Sequence, residues 1–214
     1  MAGLNNSVND TPAGSLAHGG RCHNSTLLIV GRTASGKDYV ASLLEKRYGM
    51  ARLRSYATRP PRFEGEDTHV FIDDADVPDK VAVTRIGPYE YFATRQQVLA
   101  SDIYVIDPRG VDSLIESMPD GRFIIAYIHA NDSLRERAFL SRDASATHET
   151  FVARECAESP EFDEFERRLS TSDLPPCVCC AIFFTNGYTA MNAESIAKTL
   201  AVVTGRSSFV DNDI

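Results

Sequence analysis

The chain has no apolar run approaching the length of a membrane span, so no transmembrane helix is expected. Its N-terminus lacks a basic region followed by an apolar stretch, which excludes a secretory signal from the expectations. Positive charge is in deficit. Lys plus Arg number 22 against 30 Asp plus Glu, a net charge of −8. A broad nucleic-acid or membrane-surface role is a poor fit to that balance. Five cysteines without framework spacing suit a reducing cytoplasm, and a cytoplasmic location is expected. Cys177, Cys179 and Cys180 crowd together, but neighbouring strand residues face opposite sides and no second ligand cluster follows. Buried apolar cysteines are expected there instead of a metal site. No internal repeat is present.

What the chain does have is Thr26-Leu-Leu-Ile-Val-Gly-Arg-Thr-Ala-Ser-Gly-Lys-Asp38. Thr26 to Val30 reads as a buried parallel strand. Gly31, Arg32, Thr33, Ala34, Ser35, Gly36 and Lys37 match the first seven positions of a phosphate-binding loop. An amphipathic helix with Val40, Leu43 and Leu44 on one face follows and stops near Tyr48-Gly49. Strand, loop and helix in that order let backbone N–H groups and the helix N-terminus cradle phosphate, while Lys37 reaches the outer phosphates. ATP with Mg2+ is the expected cofactor pair. Asp38 stands where Ser or Thr commonly gives magnesium a hydroxyl. It is expected as a metal contact, direct or through water, or as a first-turn residue favoured by the helix dipole.

Residues 1–24, rich in Gly, Asn, Ser and Ala, are expected to form a disordered tail, and 205–214 a C-terminal one. Met50 to Ser55 reads as a short strand. Arg59 and Arg62 flank two prolines that preset the direction of both guanidiniums. Paired forks suit a phosphate; a solvated Arg/Glu loop is the alternative.

These segments resemble the guanylate kinase family. Ser55, Thr58, Arg59, Pro61 and Arg62 fall on that family's Ser-x-x-Thr-Arg-x-Pro-Arg motif, with one extra residue before Gly65-Glu66. Tyr91-Phe-Ala-Thr94 falls on its Tyr-Tyr-Gly-Ser/Thr, and Ile106-Asp107-Pro-Arg-Gly110 on its Asp at a strand end. The resemblance spans about residues 26–202. It implies an α/β P-loop kinase fold over 25–204: a parallel β-sheet core flanked by helices, an acceptor-binding insertion at about 52–100 and a helical lid at about 135–165. It further implies that Ser55, Arg59, Arg62, His69, Tyr91, Thr94 and Asp107 contact the acceptor, and that Asp107 holds a magnesium-bound water. The other reading of Asp107 is a cap on the turn before Pro108. The chain departs from the family at three places: His69 replaces a Tyr, Phe92 replaces another, and Lys80 to Gly87 lacks the guanine-reading carboxylate, with an apolar residue near Val83 instead.

Phe123 to His129 reads as a core strand. Asn131 caps a helix through Arg135 and Arg137 toward Arg142, and Phe151 to Ala157 forms a second helix carrying Arg154. By resemblance Arg137, Arg142 and Arg154 serve as lid arginines acting on the moving phosphoryl; a solvated helix face is the alternative. Phe162 to Leu169 is a further amphipathic helix, and Cys177 to Phe184 the last core strand. Asn186 follows in the turn expected beside the adenine, and Ala193 to Val203 forms the closing helix. The expectation is an ATP-dependent nucleoside monophosphate kinase acting on small nucleotides, with no nucleic-acid or membrane partner. Two alternatives are a P-loop kinase for a phosphorylated non-nucleotide and a non-catalytic binding module.

Overall fold

β1 (Thr26–Val30) is the spine of the molecule: every one of its residues is buried, and Leu27 through Val30 have no exposed surface. Each of those four apolar side chains contributes roughly 1.5–3 kcal/mol by leaving water. The computed structural model describes residues 25–206 except 63, 75, 143, 144 and 172. The tail at 1–24, most of that at 205–214, and Asp143 in the expected polar break lie outside the described residues.

After β1 come α1 (Lys37–Tyr48), β2 (Ser55–Ala57), β3 (His69–Phe71), β4 (Lys80–Ile86) and β5 (Tyr89–Thr94). Then follow α2 (Arg95–Leu99), β6 (Ile103–Val105), α3 (Pro108–Ser117), β7 (Phe123–His129) and α4 (Asp132–Leu140). The described chain ends with α5 (His148–Ser170), β8 (Val178–Thr185) and α6 (Ala190–Val203). One sheet is all parallel in the order β6-β1-β7-β8. Of Met50 to Ser55, expected as a short strand, only Ser55 belongs to one, as the first residue of β2, and the rest adds a single parallel bridge between Arg52 and Ile103.

Side chains alternate across this sheet, so it builds two cores. Leu27 and Ile29 face α1 and α6, whereas Leu28 and Val30 face α3 and the apolar side of α5. A parallel sheet covered by helices on both faces, with a glycine-rich loop between β1 and α1, is the expected fold class. The second sheet, ordered β3-β2-β5-β4, carries the expected acceptor side. A bulge in β4 between Val81 and Thr84, with Ala82 at φ 56°, turns Thr84 inward.

α5 corrects the expectation of two helices over 151–169. It is one 23-residue helix with Pro160 inside it. Proline forfeits one backbone bond, but Phe151, Phe162, Phe165 and Leu169 bury on both sides of that position and hold the halves together. The cysteines are also not uniformly buried: Cys177 is, Cys180 is half-buried and Cys179 is exposed. Among the described residues no helix is long and apolar enough to cross a membrane.

Candidate active site

The phosphate loop is shaped by contacts that only glycine permits at two positions. A Cβ on Gly31 would lie 2.4 Å from the Ile128 carbonyl oxygen. Gly36 has φ +89°, and a Cβ there would lie 2.2 Å from Asn186 Nδ2. Asn186, only 3% exposed, explains the second restriction. Its Nδ2 donates to the Ser35 carbonyl at 2.9 Å, and its Oδ1 accepts from the Tyr188 amide at 3.0 Å. Asn186 thus braces the loop from the turn just after β8, a position the sequence placed near adenine. Ala34 takes φ 58°, and Lys37 Nζ donates to the Arg32 carbonyl at 3.4 Å. Burial lowers the Lys37 pKa; Asp38 and Glu158 oppose that, and Arg142 and Arg154 add to it.

A cavity of about 310 Å³ runs from this loop to the second sheet. Gly31, Thr33, Lys37 and Asp38 line one end, and Ser55, Arg62, His69 and Tyr91 the other, with Asp107 and Thr84 on the wall. It opens beside β1 and β6, at the carboxyl ends of the parallel strands, where open α/β sheets bind ligands.

Asp38 is held by Arg52, whose Nη2 donates to Oδ1 at 2.6 Å. Burial raises its pKa, but Lys37 and Arg52 outweigh that, so it stays ionised. Asp107 caps α3, accepting from the Gly110 amide at 2.7 Å, and takes the Thr84 hydroxyl at 3.2 Å, both on Oδ1. The capping reading therefore holds, while the residue also faces the cavity. Burial pushes its pKa up. Asp38 and Asp107 are hard oxygen groups on the cavity lining, and each has one oxygen engaged. That suits magnesium held through water. Among the described residues no group of three or more His, Cys, Asp or Glu forms a metal cluster.

The two arginines of the acceptor motif part company. Arg59, 6% exposed, binds both oxygens of Glu66 at 2.9 and 2.6 Å and donates from Nε to the Tyr91 hydroxyl at 3.1 Å. It lies off the cavity lining. Arg62 lines the cavity, and its guanidinium has no ion pair among the described residues. Glu66 also accepts the Arg62 amide at 2.7 Å, and the Arg59 bonds carry its pKa down to about 2. Ser55 Oγ lies 2.9 Å from His69 Nδ1. Burial, then the charge of Arg59, lowers the His69 pKa to about 4, so a neutral imidazole faces the cavity. Thr94 sits off the cavity and caps α2, accepting the Gln97 amide at 3.2 Å.

On the lid side Arg137 and Arg142 are exposed. Arg154 Nε donates to Thr33 Oγ1 at 2.7 Å and to Glu158 Oε1 at 2.8 Å. Arg135, not singled out from sequence, is 1% exposed and donates to the Thr33 carbonyl at 3.1 Å and to Glu155 at 2.6 Å. Arg32 contacts α5 through Glu155, Ser159, Asp163 and Glu166.

No family model and no curated protein matches the chain. Among the solved structures similar to it, two align over most of its length. One is a gluconokinase from Sinorhizobium meliloti 1021, 16% identical, covering 85% of this chain and 94% of that one, with a TM-score of 0.41. The other is an uncharacterised protein from Eubacterium ventriosum ATCC 27560, 11% identical, covering 85% and 98%, with a TM-score of 0.39. Likenesses this distant carry no functional argument, so the reading rests on the site itself.

Sequence reasoning missed Arg52, Arg109, Glu158 and Glu161, all on the cavity wall. Arg109 pairs with Glu161 at 2.7 Å, and Arg52 is fixed by the bridge to β6. For Arg52 the only sequence signal is membership of the arginine cluster at 52–62. The acids on α5 read as one side of a solvated helix until the phosphate loop is seen against them.

Proposed function

We propose that the protein transfers the γ-phosphoryl of ATP to a small phosphorylated acceptor, first among them a nucleoside or deoxynucleoside monophosphate. One observation carries this reading: a single cavity joins Lys37 and the glycine loop to Arg62, Ser55, His69 and Tyr91. A donor phosphate at one end and an acceptor phosphate at the other would meet within it. The guanylate kinase resemblance supports the same class. An acceptor phosphate already carries its attacking oxygen, so no general base is needed and catalysis comes from positioning and electrostatics. Lys37 and the loop amides hold the donor, Arg62 the acceptor, and Arg154 the charge on the moving group. Magnesium bound by way of Asp38 and Asp107 would neutralise donor charge.

A non-catalytic binding module is the weaker reading, because Gly36 and Lys37 are both intact. A phosphorylated non-nucleotide acceptor stands as a second reading on one ground. Glu66 is committed to Arg59, and Glu90 to Lys80 at 2.5 Å and Arg85 at 3.0 Å. Neither lines the cavity, and neither does Glu64, so no carboxylate from the acceptor segment at 52–100 stands on its wall among the described residues. The deciding experiment is coupled ATP turnover across ribo- and deoxynucleoside monophosphates and sugar phosphates, with Lys37→Ala as control. Turnover of that variant within about tenfold of wild type, 1.4 kcal/mol of barrier, would remove the phosphate-loop reading.

A further inference from the structure

A carboxylate already sits on the phosphate loop. Glu158 of α5 accepts the Thr33 amide on Oε2 at 3.0 Å and the Thr33 hydroxyl on Oε1 at 2.5 Å. Arg154, one helical turn earlier, donates to that same Oε1 and to the same hydroxyl. Glu158 shares the cavity with Lys37 and lies close enough to act on its charge. Burial disfavours the carboxylate's charge, but the two bonds from Thr33 together with the charge and bond of Arg154 hold its pKa below the usual carboxylate range. An anion held by a loop amide, a hydroxyl and an arginine has the contacts that a phosphate oxygen would take at the same place. The helix that delivers it is tied down beside the loop, since Arg32 binds Glu155, Asp163 and Glu166 at 3.0, 2.5 and 3.1 Å.

We infer that Glu158 is a positioning residue that holds the Thr33 amide and Arg154 in place until a donor phosphate displaces it. Displacement frees Arg154 from its intrahelical partner and hands it to the phosphate that has taken the carboxylate's place. The acid thereby keeps the arginine aimed at the loop in the empty protein and opposes anions that cannot replace all of its contacts. This rests on the reading of the loop as the donor site.

Two measurements on the full chain test it. Hydrogen exchange of the free protein reads the Thr33 amide, and equilibrium binding reads the non-hydrolysable donor Mg·AMPPNP. Glu158→Gln keeps the side-chain shape and an acceptor oxygen but removes the charge, and Glu158→Ala removes both. Faster exchange at Thr33 in Glu158→Ala and about tenfold tighter donor binding by Glu158→Gln are expected, since a negative charge leaves the phosphate site. A purely structural contact predicts the opposite sign: binding as weak as, or weaker than, wild type. That outcome, or unchanged exchange at Thr33 in Glu158→Ala, overturns the inference while leaving a wild type that binds Mg·AMPPNP as a donor-binding protein. If neither wild type nor Glu158→Gln binds Mg·AMPPNP, the donor reading itself falls and takes the displacement with it.

Discussion

At His69 the half-buried imidazole sits beside Ser55 and under the charge of Arg59, and its pKa drops from 6.5 to about 4. Between those values the unfolded chain binds a proton that the folded protein refuses. Stability from this residue is therefore complete above about pH 6.5 and is lost as the pH falls toward 4. Glu66, lowered from 4.5 to about 2, loses its contribution in a lower window, below about pH 4.5. Denaturant midpoints across pH should show both slopes, and His69→Gln should flatten only the upper one. Arg59 and Arg62 divide by the same logic. Arg59→Ala strands Glu66, whose side chain is 3% exposed, so it should cost about 3–5 kcal/mol of folding stability. Arg62→Ala should stay within about 0.5 kcal/mol in stability and raise the acceptor KM. Similar stability losses in the two variants would refute the division. Gly36→Ala meets both a left-handed φ and the Asn186 amide, and should destabilise by roughly 1–3 kcal/mol in the same measurement.

At the scale of elements, α5 is the part whose role is least evident from its own composition. Its acids at 155, 158, 163 and 166, with Ser159, form a stripe spaced by three to five residues. That stripe meets Arg32 and Thr33 on the other side of the cavity mouth. Arg32 also lies over the Phe162 ring, 5.5 Å from its centroid. Arg32→Ala would leave Asp163 and Glu166 without their cation, while Glu155 keeps Arg135. We expect faster amide exchange through 148–170 and a loss of about 2 kcal/mol, with a smaller effect at higher salt. Uniform exchange with wild type would show that Phe151, Phe162 and Phe165 alone hold the helix down. α2 gives a contrasting case. Its capping box joins Thr94 and Gln97 away from the cavity, so Thr94→Ala should cost about 1 kcal/mol and leave the acceptor KM unchanged.

For the whole molecule the open quantity is acceptor choice. The wall offers Arg62 to one phosphate, a neutral His69, and the hydroxyls of Ser55, Thr84 and Tyr91. The acids Asp107, Glu158 and Glu161 on that wall are engaged by Gly110 and Thr84, by Thr33 and Arg154, and by Arg109. The carboxylates of the second sheet are spent on Arg59, Lys80 and Arg85. A site without a group left unpaired by the wrong base rejects analogues weakly. The protein should therefore prefer GMP or dGMP over the best other monophosphate by less than about a hundredfold, or prefer another acceptor outright. A larger guanine preference in kcat/KM across the panel would contradict the cavity's chemistry.

Sequence alone determined what depends on neighbours along the chain. The apolar run at 26–30, the glycines at 31 and 36, the stop at Gly49 and the caps at Asp107 and Asn131 are local patterns. Backbone sterics and helix-end hydrogen bonding impose them with little help from afar. Tertiary structure decided everything that depends on which charges meet. Arg59 and Arg62 are indistinguishable in a motif, yet only Arg59 is captured by Glu66 once the loop folds back. Arg52 reaches Asp38 because a bridge to β6 brings it there, and Glu158 reaches Thr33 across 125 residues of chain. A charged side chain on a helix reads the same whether it faces water or a phosphate loop. Only packing chooses between them, because the energy lies in the partner and not in the spacing.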